Sequence, residues 1–142
     1  MADKRRIFED IIAKQAPAVI VYEDEWVVAF LSDPSHLPGH TIVAPKGSGA
    51  THPLEMPTDE FQGLMAAVHK IAPAIRDALG GGDVKIDFST GPLAGQTVNY
   101  PHVHILVYTK KGQYEPRSHT RVQKEELEAV GERLRRFIKN QP

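Results

Sequence analysis

The stretch Gly95-Gln96-Thr97-Val98-Asn99-Tyr100-Pro101-His102-Val103-His104-Ile105-Leu106-Val107 decides how this chain is read. Side chains two apart on a strand share a face, so His102 and His104 point one way while Val103, Ile105 and Val107 point the other. An apolar face turned to a core and a polar face turned away from it describe a strand that presents a site. This last strand is expected within residues 97–108.

Working outward, Val84, Ile86 and Phe88 alternate with Lys85 and Asp87, the pattern of another half-buried strand. Residues 18–23 and 26–31 are rich in β-branched and aromatic side chains and flank an acidic turn, Asp24-Glu25. A further short strand is expected over residues 40–44, stopped at Pro45. Ile7, Phe8, Ile11 and Ile12 recur at helical spacing, in a first helix that Pro17 is expected to end. Phe61, Leu64, Met65, Val68, Ala72, Ile75 and Leu79 stripe one face of a long helix. Thr58 is expected to cap it, Pro73 to kink it and Gly80-Gly81-Gly82 to end it. Leu127, Val130, Leu134, Phe137 and Ile138 stripe a C-terminal helix, with Gly131 as its weak point. The fold class is α+β: an antiparallel sheet with one long helix packed on it and helices at both ends. One domain over residues 1–142 is expected, with a core of about 7–108 and a helical extension of about 120–140.

Composition narrows the chemistry. The 142 residues carry 41% apolar and 25% charged side chains, within the globular range. Lys and Arg total 17 against 18 acidic residues, so no global field draws the chain onto nucleic acid or an anionic membrane. Without cysteine there is no disulfide framework, no thiol nucleophile and no cysteine-held zinc. No apolar run approaches the ~20 residues of a membrane span, and the polar start has no signal-like core. A cytoplasmic location is expected. Seven histidines are the most informative residue class that remains.

A His-x-His pair on a solvated strand is often inert, and it can also supply two ligands to a metal if a third converges on it. His40 is a candidate for that third position. The surroundings of His102 and His104 favour a different chemistry. Gly91-Pro92 through Gly95-Gln96 leads into them, and Pro38-Gly39-His40 followed by Pro45-Lys46 lies upstream. With Ile7-Phe8 and the segment from Glu23-Asp24 to Ala29-Phe30, these features resemble the histidine triad family of nucleotide-binding proteins. The resemblance runs from about Ile7 to Tyr108.

The resemblance implies attack of a histidine on the α-phosphate of a purine nucleoside phosphoramidate or dinucleoside polyphosphate. A covalent nucleotidyl-histidine would then pass its nucleotide to water or another acceptor. Neutral imidazole is a nucleophile at pH 7 without deprotonation, and the scheme needs no metal or other cofactor. The small-molecule nucleotide is the implied partner, and a homodimer built on the long helix and a strand is the implied assembly. His102 and His104 are the candidate catalytic residues, and His40 joins them in the substrate pocket.

Two departures from the family pattern stand out. Only two of three expected histidines are present, and two alignments are open. Without a gap, Tyr100 replaces the first histidine and His102 is the nucleophile; with Asn99-Tyr100 as an insertion, His104 is the nucleophile and Leu106 replaces the last histidine. The gapless alignment places Pro101 inside a strand, where it removes a ladder donor. The second departure is at the ribose: the position eight before His40 is Ser32, where the family has Asp or Asn, with Asp33 adjacent. The resemblance places Phe30 beside the base, Gln96 at a phosphate contact, Ser89 at a ribose or phosphate contact, and Ser32, Asp33 and Tyr100 among the substrate-binding residues. His36, His52, His69 and His119 are expected on the solvated surface, as are Lys110, Lys111, Arg117 and Arg121. Trp26 is assigned to packing. Three hypotheses remain: an enzyme, a nucleotide-binding module without turnover, and a His-x-His metal protein.

Overall fold

Five strands form from short runs bounded by turn residues; four of them seal residues in the core, and the remaining one, residues 83–87, is half-buried or exposed throughout. In a computed structural model that describes residues 4–114 and 121–140, they are β1 (Ile20–Glu23), β2 (Val27–Leu31), β3 (Thr41–Pro45), β4 (Asp83–Asp87) and β5 (Val103–Tyr108). They make one antiparallel sheet in the order β1-β2-β3-β5-β4. The helices are α1 (Arg5–Ile12), α2 (Thr58–Ala78) and α3 (Lys124–Lys139). The α+β architecture with one long helix and helices near both ends agrees with the expectation.

The sheet separates two apolar clusters. On one face Val27, Ala29, Leu31, Val43, Val103, Ile105 and Val107 pack under α2 and α3. On the other, Val28, Phe30, Ile42 and Ala44 pack with Phe8 and Ile11 of α1 and with Tyr100. Strands β2 and β3 are buried on both faces, which explains their unbroken apolar runs. β5 alternates as its sequence demands: Val103, Ile105 and Val107 are sealed, while His104, Leu106 and Tyr108 are half-buried.

Several local expectations change. β5 starts at Val103, later than expected, because Pro101 has no N–H to extend the ladder. His102 therefore stands just before the strand. Likewise His40 precedes β3. Helix α1 ends at Ile12, before Pro17, with Lys14 in the left-handed region at φ 63°. Thr58 begins α2 without capping it; Pro57 holds the cap position, and Asp59 and Glu60 complement the helix dipole. Pro73 lies inside a helix that continues to Ala78. Gly131 is a point of close approach: a Cβ there would lie 2.2 Å from Val19 Cγ1, so glycine lets α3 settle against the chain entering β1. Trp26 is 38% exposed, with one part of its ring lying over Gly63, where a Cβ would meet it at 2.6 Å. No helix of the described residues is long and apolar enough to cross a membrane.

Candidate functional site

The sheet register gathers the site. Ile42 of β3 pairs with His104 of β5, and Asp87 of β4 pairs with the same histidine from the other side. Phe30, Ile42, His104 and Asp87 thus form one row across the sheet, on the α1 face. His40 and His102, each just outside its strand, close on that row. The ring centroids of His102 and His104 are 4.9 Å apart, and those of His40 and His104 are 5.1 Å apart.

Hydrogen bonds set the tautomers. The carbonyl of Tyr100 accepts from His102 Nδ1 at 2.6 Å, so the Nδ1 nitrogen carries the proton. Nε2 of His102 is then a free lone pair with no partner among the described residues. A second chain starts at Ser35, whose Oγ donates to the Leu37 carbonyl at 2.9 Å. That oxygen accepts from His40 Nδ1 at 3.4 Å, which leaves His40 Nε2 to accept from His104 Nδ1 at 2.9 Å. By this assignment both His102 and His104 keep an unprotonated Nε2.

Burial drives these charges down. Desolvation pushes His40 to about 4, with the neighbouring His104 adding to the shift and Asp87 opposing it. Desolvation likewise pushes His102 to about 4, against the Tyr100 carbonyl, which favours the protonated ring. His104 is also held below the ordinary value by burial, with Asp87 opposing. All three imidazoles are neutral at pH 7. The ring of Phe8 meets His102 edge-to-face at 5.0 Å and supplies part of the apolar wall responsible.

Beside the row lies a cleft of about 600 Å³, lined by Ile7, Asp10, Ile11, Ala16 to Val19, Phe30, Leu31, Ser32, Asp33 and Ile42. Its remaining wall comes from Lys124, Leu127 and Glu128 of α3. Ile42 is common to the cleft and the histidine row, so the two adjoin.

The other expected site residues divide. Phe30 and Ser32 line the cleft, as does Asp33, whose Oδ1 pairs with Arg121 at 2.8 Å. Tyr100 does not reach the site by its side chain: it is sealed in the second cluster, its hydroxyl donating to the Pro45 carbonyl and accepting from the Ser48 N–H at 3.3 Å. Gln96 is buried, and its amide nitrogen donates to the Thr51 and Val98 carbonyls at 2.7 and 2.8 Å. Both donors of Gln96 are committed to shaping the loop. Ser89 Oγ donates to the Ala94 carbonyl at 3.0 Å and braces the same loop. His36 and His69 are exposed, but His52 is half-buried and its Nδ1 is sealed without a partner. His119 and Arg117 lie outside the described residues. Sequence reading missed Phe8, Ser35, Asp87 and the α3 residues. Each acts through a tertiary contact, and the helical spacing that includes Phe8 gives it a core face but no place beside His102.

Comparison with known proteins now has geometry to meet. A family model described as the HIT domain matches residues 13–111. The chain belongs to the HIT domain family. Residues of this HIT protein are 40% identical over 100 positions to an uncharacterised HIT-like protein of Methanocaldococcus jannaschii, covering 70% of this chain and 76% of that one. The structure superposes at a TM-score of 0.82 on a hypothetical histidine triad nucleotide-binding protein of Sulfolobus tokodaii, 28% identical, covering 94% of this chain and 92% of the other. A zinc-bound histidine triad family protein of Mycobacterium smegmatis matches at 0.79, also 28% identical, with the same coverage of 94% and 92%. In this HIT protein, no group of three His, Asp or Glu among the described residues is arranged to hold a metal ion.

Proposed function

We propose that this protein binds purine nucleotide conjugates and transfers their nucleotidyl group through His102. The observation that carries this reading is the bond from His102 Nδ1 to the Tyr100 carbonyl, which aims the ring and leaves Nε2 as a neutral nucleophile beside the cleft. It favours the gapless alignment. Pro101 no longer counts against that alignment, since β5 begins after it.

In the proposed reaction, His102 Nε2 attacks the α-phosphorus. A P–N bond to the histidine forms as the bond to the leaving amine or phosphate breaks, and the electron pair departs with the leaving group. The phosphate's negative charge raises the proton affinity of His104, so its Nε2 takes up a proton and gives it to the leaving group. His40 holds the other nitrogen of His104 and thereby fixes where that proton sits. Water then attacks the same phosphorus, His104 Nε2 accepts the water's proton, and the P–N bond to His102 breaks. The nucleoside half occupies the cleft, with Phe30 and Ile42 as its apolar floor and Ser32 and Asp33 at the sugar. Tyr100, in place of a first histidine, contributes its carbonyl only.

The decisive test is to mix the protein with adenosine 5′-phosphoramidate, quench under neutral conditions and map the labelled peptide by mass spectrometry. A nucleotidyl group on His102 is expected. A group on His104 overturns the assignment, and nucleotide binding without any adduct establishes a binding module instead. The proposed assembly is a homodimer through α2 and the free edge of β4, where Ile86 is 44% exposed. Light scattering that returns a monomer at working concentration would reject it.

A further inference from the structure

The cleft reaches further than the histidine row requires. Its far wall is the start of α3, a helix outside the stretch matched to the HIT domain. In the sheet order, β5 and β1 are three strand spacings apart, roughly 14 Å at ~4.8 Å each. That is close to the reach of an extended nucleoside monophosphate. With its phosphorus at His102, a nucleotide lying along the cleft brings its base toward β1 and α3.

The α3 wall is held firmly. The N–H of Val122 donates to the Ser35 carbonyl at 2.7 Å, Arg121 pairs with Asp33 at 2.8 Å, and Arg135 Nη1 donates to the Ile20 carbonyl at 2.9 Å. Leu127 is 2% exposed and anchors the helix between the two polar residues that face the cleft. Those residues, Lys124 and Glu128, are four apart on one helix face, so their side chains project about 5–6 Å from each other at Cβ. Neither side chain has a hydrogen-bond or ion-pair partner among the described residues. Of the other carboxylates lining the cleft, Asp10 faces Arg6 at 3.7 Å and Asp33 pairs with Arg121.

We propose that Lys124 and Glu128 read the outer edge of the bound base and select guanine over adenine. This rests on the nucleotide reading above and goes beyond it. Guanine shows an O6 acceptor beside N1–H and N2–H₂ donors, and a carboxylate accepts from both nitrogens while an ammonium meets O6. Adenine has one amino donor on that edge and an acceptor where guanine has N1–H, so the carboxylate keeps a single bond. One lost hydrogen bond to a charged group at a solvated rim corresponds to about tenfold in affinity.

Calorimetric titration of the full chain with GMP, IMP and AMP tests this, with Glu128→Gln and Lys124→Ala alongside. Both positions are exposed, and circular dichroism checks that each variant folds. GMP is expected to bind about tenfold more tightly than AMP, with IMP, which lacks the 2-amino group, in between. Glu128→Gln should bring GMP and AMP within about twofold, and Lys124→Ala should weaken GMP and IMP together. AMP binding equal to or tighter than GMP overturns the proposal, as does a guanine preference that survives in Glu128→Gln. Binding of none of the three overturns the nucleotide reading itself and this proposal with it; binding of all three alike sinks this proposal alone.

Discussion

On the α2 side of the sheet, Val43, Val103, Ile105, Leu64, Ile71 and Ile75 meet, and the buried Thr41 beside Ile105 donates its hydroxyl to the Gly39 carbonyl. On the α1 side, a smaller cluster of Phe8, Ile11, Phe30, Ile42 and Tyr100 shares its face with His102 and His104. The same strands serve both faces, because alternate residues of β5 and β3 point in opposite directions. The comparison teaches where stability and reactivity are kept. One face is filled almost wholly with apolar volume, and the buried hydroxyl of Thr41 is satisfied by a carbonyl. The other buries imidazoles, which weakens it toward acid but holds them neutral, the state that the proposed attack on phosphorus requires.

The largest effect should come from the reactive face. His102→Ala is expected to lower turnover of adenosine 5′-phosphoramidate by on the order of 10⁴-fold, about 5.5 kcal/mol in the barrier, while its melting temperature changes little. A melting temperature that collapses along with activity would erase the distinction between the faces.

Acid should separate them next. His40 and His102 have folded-state values of about 4, below the unfolded value near 6.5. The unfolded chain therefore binds more protons between those limits, so stability is full above about pH 6.5 and falls by a few kcal/mol as pH drops toward 4. Urea denaturation across that range measures the loss, and a His40→Gln/His102→Asn double variant should flatten it. The His102 ring should also show no titration between pH 6 and 8 in its nitrogen-15 resonances. A step there would place the His102 value near that of a solvated imidazole.

On the apolar face, Leu64→Ala should cost about 3 kcal/mol in urea denaturation, because the side chain is fully buried under the sheet. It should leave the adduct on His102 intact. Where α3 meets the chain entering β1, Gly131→Ala should destabilise by about 1–2 kcal/mol despite alanine's better helix propensity, since the new methyl overlaps Val19. A stabilising result would mean that α3 can shift without cost. The smallest effect is expected for Tyr100→Phe, about 1 kcal/mol from the lost bonds to Pro45 and Ser48. Turnover should persist, because the carbonyl that orients His102 remains.

The apolar face was legible in the sequence because periodicity is a local signal. The alternation in β5 and the stripe of α2 both correspond to observed burial. The His102–His104 pair was legible for the same reason, and His40 through its place in the family pattern. The strand ends were not: Pro101 cuts the ladder where Tyr100 and Asn99 still read as strand residues. Tyr100 was assigned to the substrate because it stands where a histidine is expected, yet its ring turns into the second cluster. Gln96 and Ser89 were read as ligand contacts, and the structure binds them to loop carbonyls instead. The part that α3 plays in the cleft had no local signal, since Arg121 and Asp33 are 88 residues apart.

Ser35 joins two of these stories in one residue. Its carbonyl receives the N–H of Val122, and its hydroxyl holds the ring of His40. One amino acid therefore stands between the chain leading into α3 and an imidazole of the histidine row. Cutting the chain before Val122 removes the bond to the Ser35 carbonyl, and the nitrogen-15 resonances of His40 are expected to shift in response.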